Sequence, residues 1–280
     1  MIEILSEQRC FGGVQGTYRH DSTSIGAPMR FAVYAPPQAA RGPVPVLYVL
    51  AGLTCNEETF MIKAGAQRRA ADLGLMLVAP DTSPRDTGIE GATGDWEFGE
   101  AAGFYLDATA APWSSRFRMA SYVADELPRV IEGRFPAAGD RRGLCGHSMG
   151  GHGALTLALK HPGRWRSLSA WAPIAAPTRV PWGQKALPRY LGDDPAAWAA
   201  HDACALLDAG HRFDGTILVD QGEADRFLAE QLRPDLLESA CARAGQPLRL
   251  RRHAGYDHSY WFIQSVVDDH LRHHAEVLAA

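Results

Sequence analysis

Ser148 lies in Gly146-His147-Ser148-Met149-Gly150, which fits the pattern G-x-S-x-G. Arg142–Cys145 before it reads as a strand, and Gly151-His152-Gly153-Ala154-Leu155-Thr156-Leu157 after it opens a helix. Five residues with three fixed mean little until that strand–turn–helix setting is present. So sharp a turn strains the serine and lifts its hydroxyl above the strand ends. Glycine on either side removes side chains that would collide there. The amide of Met149 can point at a developing oxyanion, and the helix N-terminus favours the same charge. A serine hydroxyl needs a base to become a good nucleophile, and the base needs an orienting acid.

Downstream of such a serine the expected order is acid, then histidine. A strand at Thr216–Asp220 leads into Gln221-Gly222-Glu223-Ala224-Asp225, where Asp225 fits best and Glu223 and Asp220 are rivals. The next strand, Leu248–Arg252, leads to His253-Ala254-Gly255-Tyr256-Asp257-His258-Ser259, and His258 is better placed than His253. The second oxyanion amide is expected from Ala51-Gly52-Leu53-Thr54-Cys55, with Leu53 as donor and Gly52 allowing the close turn. Cys55 adjoins that loop but has no elbow of its own, so it reads as a packing or modulatory residue. His270 and His274 stand four apart without a His-Glu-x-x-His motif and complete an apolar stripe, so they read as packed side chains. Trp96, Trp113 and Trp182 are candidates for a groove wall, and Trp165 and Trp171 for the core.

The elements that must position these groups alternate. Strand-like runs fall at Phe31–Tyr34, Val44–Leu50, Leu75–Ala79, Arg142–Cys145, Ser167–Trp171, Thr216–Asp220 and Leu248–Arg252. Several are apolar throughout, as strands covered on both faces should be. Helical patterns lie between them: Thr59–Leu73 ending at Gly74, Gly151–His161 stopping before Pro162, and Pro234–Ala244 ending at Gly245. In the last helix Ile263, Val266, Val267, His270, Leu271, His274 and Leu278 share one stripe. The alternation predicts one α/β domain over residues 1–280 with a doubly wound, mostly parallel sheet and an antiparallel N-terminal edge. Asp81–Ser115 and Pro173–Asp194 lack clear periodicity, and long irregular loops in a compact domain are often functional.

Composition agrees. The 280 residues carry 28 Lys+Arg against 32 Asp+Glu, a net charge of −4, which speaks against a general nucleic-acid partner. The longest nearly unbroken apolar run, Val44–Leu53, is half the roughly 20 residues that a membrane span requires, so no membrane partner is expected. The N-terminal segment does not read as a secretory leader. Five widely spaced cysteines without a C-x-x-C pair read as free thiols in a reducing, cytoplasmic setting.

Taken together, the motifs resemble the S-formylglutathione hydrolases of the esterase D family. The resemblance runs through Gly52-Leu53-Thr54-Cys55, Gly65-Ala66-Gln67-Arg68, Val78-Ala79-Pro80-Asp81-Thr82-Ser83-Pro84-Arg85 and Gly103-Phe104-Tyr105-Leu106-Asp107-Ala108-Thr109. It continues through the serine segment to Ala154-Leu155, then Pro181-Trp182-Gly183-Gln184-Lys185-Ala186, Asp220-Gln221-Gly222 with Asp225, and Gly255-Tyr256-Asp257-His258-Ser259-Tyr260. It implies an α/β-hydrolase fold with Ser148 as nucleophile, Asp225 as acid, His258 as base, and Leu53 and Met149 as oxyanion amides. It also implies a cofactor-free cytoplasmic homodimer that takes a small-molecule substrate, S-formylglutathione, to glutathione and formate. Two departures stand out. Ile174-Ala175-Ala176-Pro177 replaces the family's Ile-Cys-Asn-Pro, and Ala101 replaces a glycine. Both fall in the long loops expected to shape the pockets, so they bear on substrate preference more than on chemistry.

An anionic peptide thioester approaching an acidic protein needs a local cationic patch. Lys63, Arg85 and Lys185 are the candidates, and Cys55, Trp96 and Trp182 the expected neighbours of the bound substrate. A general carboxylesterase or acyltransferase on the same triad is the alternative activity. A non-catalytic binding protein on a hydrolase fold is the alternative of another kind.

Overall fold

The computed structural model describes residues 2–279. Nine strands form one sheet: β1 (Ile2–Cys10), β2 (Gly13–Ser22), β3 (Ala27–Ala35), β4 (Val44–Leu50), β5 (Met76–Pro80), β6 (Ala137–His147), β7 (Ser167–Trp171), β8 (Ile217–Gly222) and β9 (Leu248–His253). Their spatial order is β1-β2-β3-β5-β4-β6-β7-β8-β9. β1, β2 and β3 run antiparallel to one another and β3 runs antiparallel to β5, while every pair from β5 to β9 is parallel. The expected antiparallel edge and parallel centre are both present.

The helices are α1 (Glu57–Lys63), α2 (Gln67–Leu73), α3 (Met119–Ser121), which continues through a π turn into α4 (Leu127–Arg134), α5 (Met149–Lys160), α6 (Pro181–Leu191), α7 (Pro195–Ala199), α8 (Ala203–Asp208), α9 (Pro234–Ala244) and α10 (Tyr260–Ala279). They cover both faces of the sheet. Alternate residues of β4 show why its sequence is apolar throughout. Leu47 and Val49 pack with Phe60, Ala70, Phe262 and Leu271 from α1, α2 and α10. Val46, Tyr48 and Leu50 join Leu155 and Leu159 of α5 on the other face.

Two readings of the sequence are corrected. The pattern over Thr59–Leu73 is two helices, because the chain turns at Gly65 with φ +67°, a left-handed conformation that interrupts helical bonding. Gly74 closes the second of them in the left-handed region, as expected. The stretch Pro173–Asp194 contains α6, whose Trp182, Ala186, Leu187 and Tyr190 are buried, although Gly183 and an internal Pro188 obscure its periodicity.

On α10, His270 and His274 belong to the buried stripe and carry polar partners with them. Ser169 Oγ lies 2.8 Å from His270 Nδ1 and 2.8 Å from His274 Nε2, and Ser167 Oγ lies 2.6 Å from His274 Nδ1. Asp220 sits beneath this network with Arg251 at 2.5 Å and His270 at 3.3 Å. Burial alone would raise its pKa, but those two partners hold it well below the usual carboxylate range.

Candidate active site

The site gathers at the carboxyl ends of the parallel strands, where open α/β sheets take their ligands. Ser148 follows the last residue of β6 and precedes α5, with φ 58° and ψ −117°, a conformation that L-residues rarely adopt. The two flanking glycines are sterically required. A Cβ at Gly146 would sit 2.1 Å from the Gly150 carbonyl oxygen, and one at Gly150 would sit 2.0 Å from the Leu50 carbonyl oxygen. The strained turn is pinned by Ser148 N donating to Trp171 O at 2.9 Å and by His152 N donating to Ser148 O at 3.0 Å.

Asp225 lies in the turn after β8 and is buried. Its Oδ1 accepts from the Phe227 amide at 2.8 Å. Its Oδ2 lies 2.5 Å from His258 Nδ1 and accepts from Gln221 Nε2 at 3.4 Å. A carboxylate only accepts, so Nδ1 carries the proton and Nε2 is left to act as base. The rivals are placed elsewhere: Asp220 is engaged by Arg251 and His270, Glu223 is exposed, and His253 faces Asp220 at 3.5 Å.

Ser148 and His258 line one cavity of about 310 Å³, together with Gly52, Leu53, Thr54 and Cys55. The loop after β4 approaches the serine closely, and a Cβ on Gly52 would lie 3.2 Å from Ser148 Cβ. It is buttressed from behind. Thr54, at φ +67°, donates its amide to Ala101 O at 3.0 Å. The Cys55 carbonyl accepts from Thr82 Oγ1 at 2.7 Å and Arg85 Nη2 at 2.8 Å, while Arg85 also grips Asp81. Burial pushes the Cys55 thiol above its ordinary pKa, which keeps it protonated and weakly nucleophilic at neutral pH.

The far wall is aromatic. Trp96 meets Trp182 edge-on at 5.9 Å, and Trp182 packs on Phe227 at 4.8 Å. Phe227 in turn meets the His258 ring edge-on at 5.2 Å. The Trp182 indole donates to Glu97 Oε1 at 2.8 Å.

Three lining residues escape the sequence reading: His147, Arg226 and Phe227. His147 is the variable residue before the serine. It is buried, both ring nitrogens are unpartnered, and its ring lies 4.5 Å from that of His258. Burial, reinforced by His258, pushes its pKa well below the usual value, so it stays neutral beside the base. Arg226 and Phe227 follow the acid directly, a position that flags them once Asp225 is chosen.

Several expected substrate neighbours lie elsewhere. Lys185 does not line the cavity. Its Nζ is bound by Asp95 at 2.8 Å and Glu97 at 2.7 Å, so it braces the loop that carries Trp96. Lys63 sits in a separate hollow with Ile62 and Trp261, over the Tyr260 ring at 5.8 Å. Arg85 is committed to Asp81 and the Cys55 carbonyl. Trp113 is buried against Phe98, Phe117 and Tyr190 rather than in the groove. Ala175 and Ala176 are buried behind the wall, with Ala175 N donating to Leu232 O at 3.0 Å. Neither they nor Ala101 line the cavity, so the two departures lie outside its wall. Among the described residues no cluster of three or more His, Cys, Asp or Glu is arranged to hold a metal ion.

The "Putative esterase" family model matches residues 22–273. An S-formylglutathione hydrolase of Paracoccus denitrificans (strain Pd 1222) is 51% identical over 277 residues, which cover 99% of this chain and 98% of that protein. The solved structure of an S-formylglutathione hydrolase from Agrobacterium tumefaciens superposes with a TM-score of 0.96 at 49% identity, covering 98% of this chain and 99% of that one. A fluorophosphonate-binding serine hydrolase of Staphylococcus aureus, at 18% identity and a TM-score of 0.73, shares the fold over 94% of this chain and 98% of its own.

Proposed function

The chain belongs to the esterase family and, within it, to the S-formylglutathione hydrolases, and on that premise we propose that Ser148, His258 and Asp225 carry out the hydrolysis. The protein is a hydrolase that converts S-formylglutathione and water to glutathione and formate. The observation that carries the assignment of residues is a single constellation. A left-handed serine at the end of β6 shares one cavity with a histidine whose Nδ1 is held 2.5 Å from a buried aspartate.

In this mechanism Ser148 Oγ attacks the formyl carbon as His258 Nε2 takes its proton. Asp225 holds the imidazole in the required tautomer and stabilises the imidazolium. The amides of Leu53 and Met149 receive the oxyanion, one such donor contributing roughly 3–4 kcal/mol in related chemistry. The carbon–sulfur bond breaks and glutathione leaves as a thiolate, taking a proton from the imidazolium. Water then adds to the formyl-serine, giving its proton to His258, and formate departs as Ser148 recovers its own. No cofactor enters any step. A formyl group needs no deep acyl pocket, so the indole wall of Trp96 and Trp182, together with Cys55, is left to contact the glutathionyl part.

Steady-state kinetics on S-formylglutathione, S-acetylglutathione and 4-nitrophenyl acetate test this assignment, for wild type and Ser148→Ala. A formyl-thioester preference lost in the variant supports it. Activity confined to simple esters would instead favour a general carboxylesterase.

The five free cysteines support a cytoplasmic setting. No helix among the described residues is long and apolar enough to cross a membrane. A single domain and a homodimer complete the proposal, and sedimentation equilibrium tests the latter.

A further inference from the structure

We infer that Arg226 is the carboxylate-recognition residue of the active-site cleft, selecting thioesters whose thiol part is anionic. This rests on the hydrolase reading above and names the group that reads the leaving thiol.

Among the residues lining the cavity, Arg226 is the one cation and no Asp or Glu is present. Among the described residues Arg226 forms no salt bridge, whereas Lys185 is neutralised by two carboxylates and Arg85 is clamped on Asp81. A buried or neutralised cation has little to offer a ligand, while an unpaired guanidinium at a cleft wall presents a fork that matches a carboxylate.

Arg226 is also preorganised. The guanidinium lies over the Phe227 ring, 4.6 Å from its centroid. Phe227 is itself fixed by its backbone N–H, which donates to Asp225 Oδ1 at 2.8 Å, and by packing on Trp182. Stacking limits the rotamers of Arg226 before any ligand arrives, so less freedom is lost on binding. The same aromatic ring touches the base, which places the cation on the side of the cleft next to His258.

At a net charge of −4 the protein does not attract an S-acylglutathione from a distance. Recognition must come from a short-range cation in the cleft, and Arg226 supplies it.

The test uses S-methylglutathione as a competitive inhibitor of 4-nitrophenyl acetate hydrolysis, so it needs no thioester turnover. Its inhibition constant is expected to rise about tenfold in Arg226→Gln, since a hydrogen bond to a charged group is lost. Arg226→Glu is expected to weaken it further, and Arg226→Lys, which keeps the charge without the fork, is expected to fall between wild type and Gln. Added salt is expected to weaken binding to wild type more than to Arg226→Gln. The diamide of S-methylglutathione, which has no carboxylate, is the control. Its inhibition constant is expected to be the same in wild type and Arg226→Gln. A wild-type constant for S-methylglutathione in Arg226→Gln, or an equal loss for acid and diamide, overturns the inference. Failure of wild type to hydrolyse S-formylglutathione would instead strike the hydrolase reading, and the inhibition constants would still decide the role of Arg226.

Discussion

Replacing Asp225 by Asn tests the triad through hydrogen-bond logic rather than charge alone. The two carboxylate oxygens have different duties: Oδ1 accepts from the Phe227 amide at 2.8 Å, and Oδ2 faces His258 Nδ1 at 2.5 Å and Gln221 Nε2 at 3.4 Å. An asparagine has one acceptor oxygen to share between them. If the oxygen stays on the Phe227 amide, the NH2 group faces His258 Nδ1, which must then accept; the proton moves to Nε2 and the base is lost. If the amide flips, its NH2 group opposes the Phe227 N–H in a buried setting, at a cost of about 1–3 kcal/mol for the unsatisfied donor. The productive tautomer is therefore a minor state by roughly ten- to a hundredfold, and loss of the negative charge beside the imidazolium adds to that. The same substitution in a serine protease triad lowers kcat about 10⁴-fold, which sets the scale. The expected outcome for Asp225→Asn is a 10³- to 10⁴-fold fall in kcat on S-formylglutathione. The melting temperature should stay close to wild type, because the shape of the site is kept. The assay is single-turnover and steady-state kinetics beside a thermal melt. A variant within tenfold of wild type would refute the argument, since the histidine would then be oriented by something other than Asp225.

Other consequences follow from the supports around the site. Thr82→Val removes one of the two donors to the Cys55 carbonyl, worth about 1 kcal/mol, and is expected to lower kcat severalfold with KM nearly constant; a KM effect alone would mean that the loop is not being held for catalysis. Although burial alone would raise it, hydrogen bonds from the Ser22 hydroxyl and the Ser24 and Thr23 amides hold Glu126 at about 2 against an ordinary 4.5. The carboxylate therefore stabilises the fold above about pH 4.5 and loses that contribution as pH falls through 2. Glu126→Gln is expected to cost about 2–3 kcal/mol at pH 7, and denaturant melts should show the deficit shrinking toward pH 2. Ala101 adopts φ +67°, so Ala101→Gly is expected to stabilise by about 0.5–1 kcal/mol, left-handed strain relieved less the added chain entropy, read as a rise of about 2 °C in Tm. The raised pKa of Cys55 means that inactivation by iodoacetamide should quicken about tenfold per pH unit between 7 and 9 and be much slower in Cys55→Ser.

The legible parts of this molecule were those whose local rule and tertiary role agree. Val44–Leu50 and Ser167–Trp171 read as strands to the residue, because helices cover both sheet faces and the segments are apolar on both. Gly74 and Gly245 marked helix ends since both take left-handed φ. Ser148, Asp225 and His258 could be picked out as candidates because the elbow, the turn after β8 and the loop after β9 each sit at a strand terminus, which periodicity locates well, and the structure brings the three to one site. What escaped was held by tertiary context. Gly65 breaks a helix that periodicity alone continues through. Lys185 reads as a free cation until Asp95 and Glu97, some ninety residues away, are seen to neutralise it. Ala175 and Ala176 fall in a functional-looking loop yet are buried, with Ala175 bonded to Leu232 and Cys204. Trp113 and Trp182 are the same residue type in stretches without clear periodicity in the sequence, and only packing sends one to the core and the other, on α6, to the cleft.

That division separates two kinds of control over the reaction. The groups proposed to react, and the loop beside them, stand at strand ends and are locked by hydrogen bonds: Asp225 to His258, Ser148 N to Trp171 O, and the Cys55 carbonyl between Thr82 and Arg85. The cleft wall stands on loops and the start of α6 and is held by stacking and ion pairs, with Lys185 bound to Asp95 and Glu97 on either side of Trp96 and Arg226 laid over Phe227. Charges within the wall cancel against each other except at Arg226, so the cavity offers a ligand one positive site and a largely apolar surface. Changes at strand ends should therefore fall on kcat, because they alter groups that act on the transition state. Changes in the wall should fall on KM and on the choice of thiol, because they alter contacts made equally in ground and transition states. Phe227 is where the two meet: its amide holds Asp225 Oδ1, its ring meets that of His258 edge-on, and the Arg226 guanidinium lies over it. Phe227→Ala is accordingly the wall substitution that should lower kcat and raise KM together, while Trp96→Ala, which meets Trp182 and the open cleft, should move KM alone. Kinetics of the two variants side by side on S-formylglutathione check this, and an equal effect on kcat in both would dissolve the distinction.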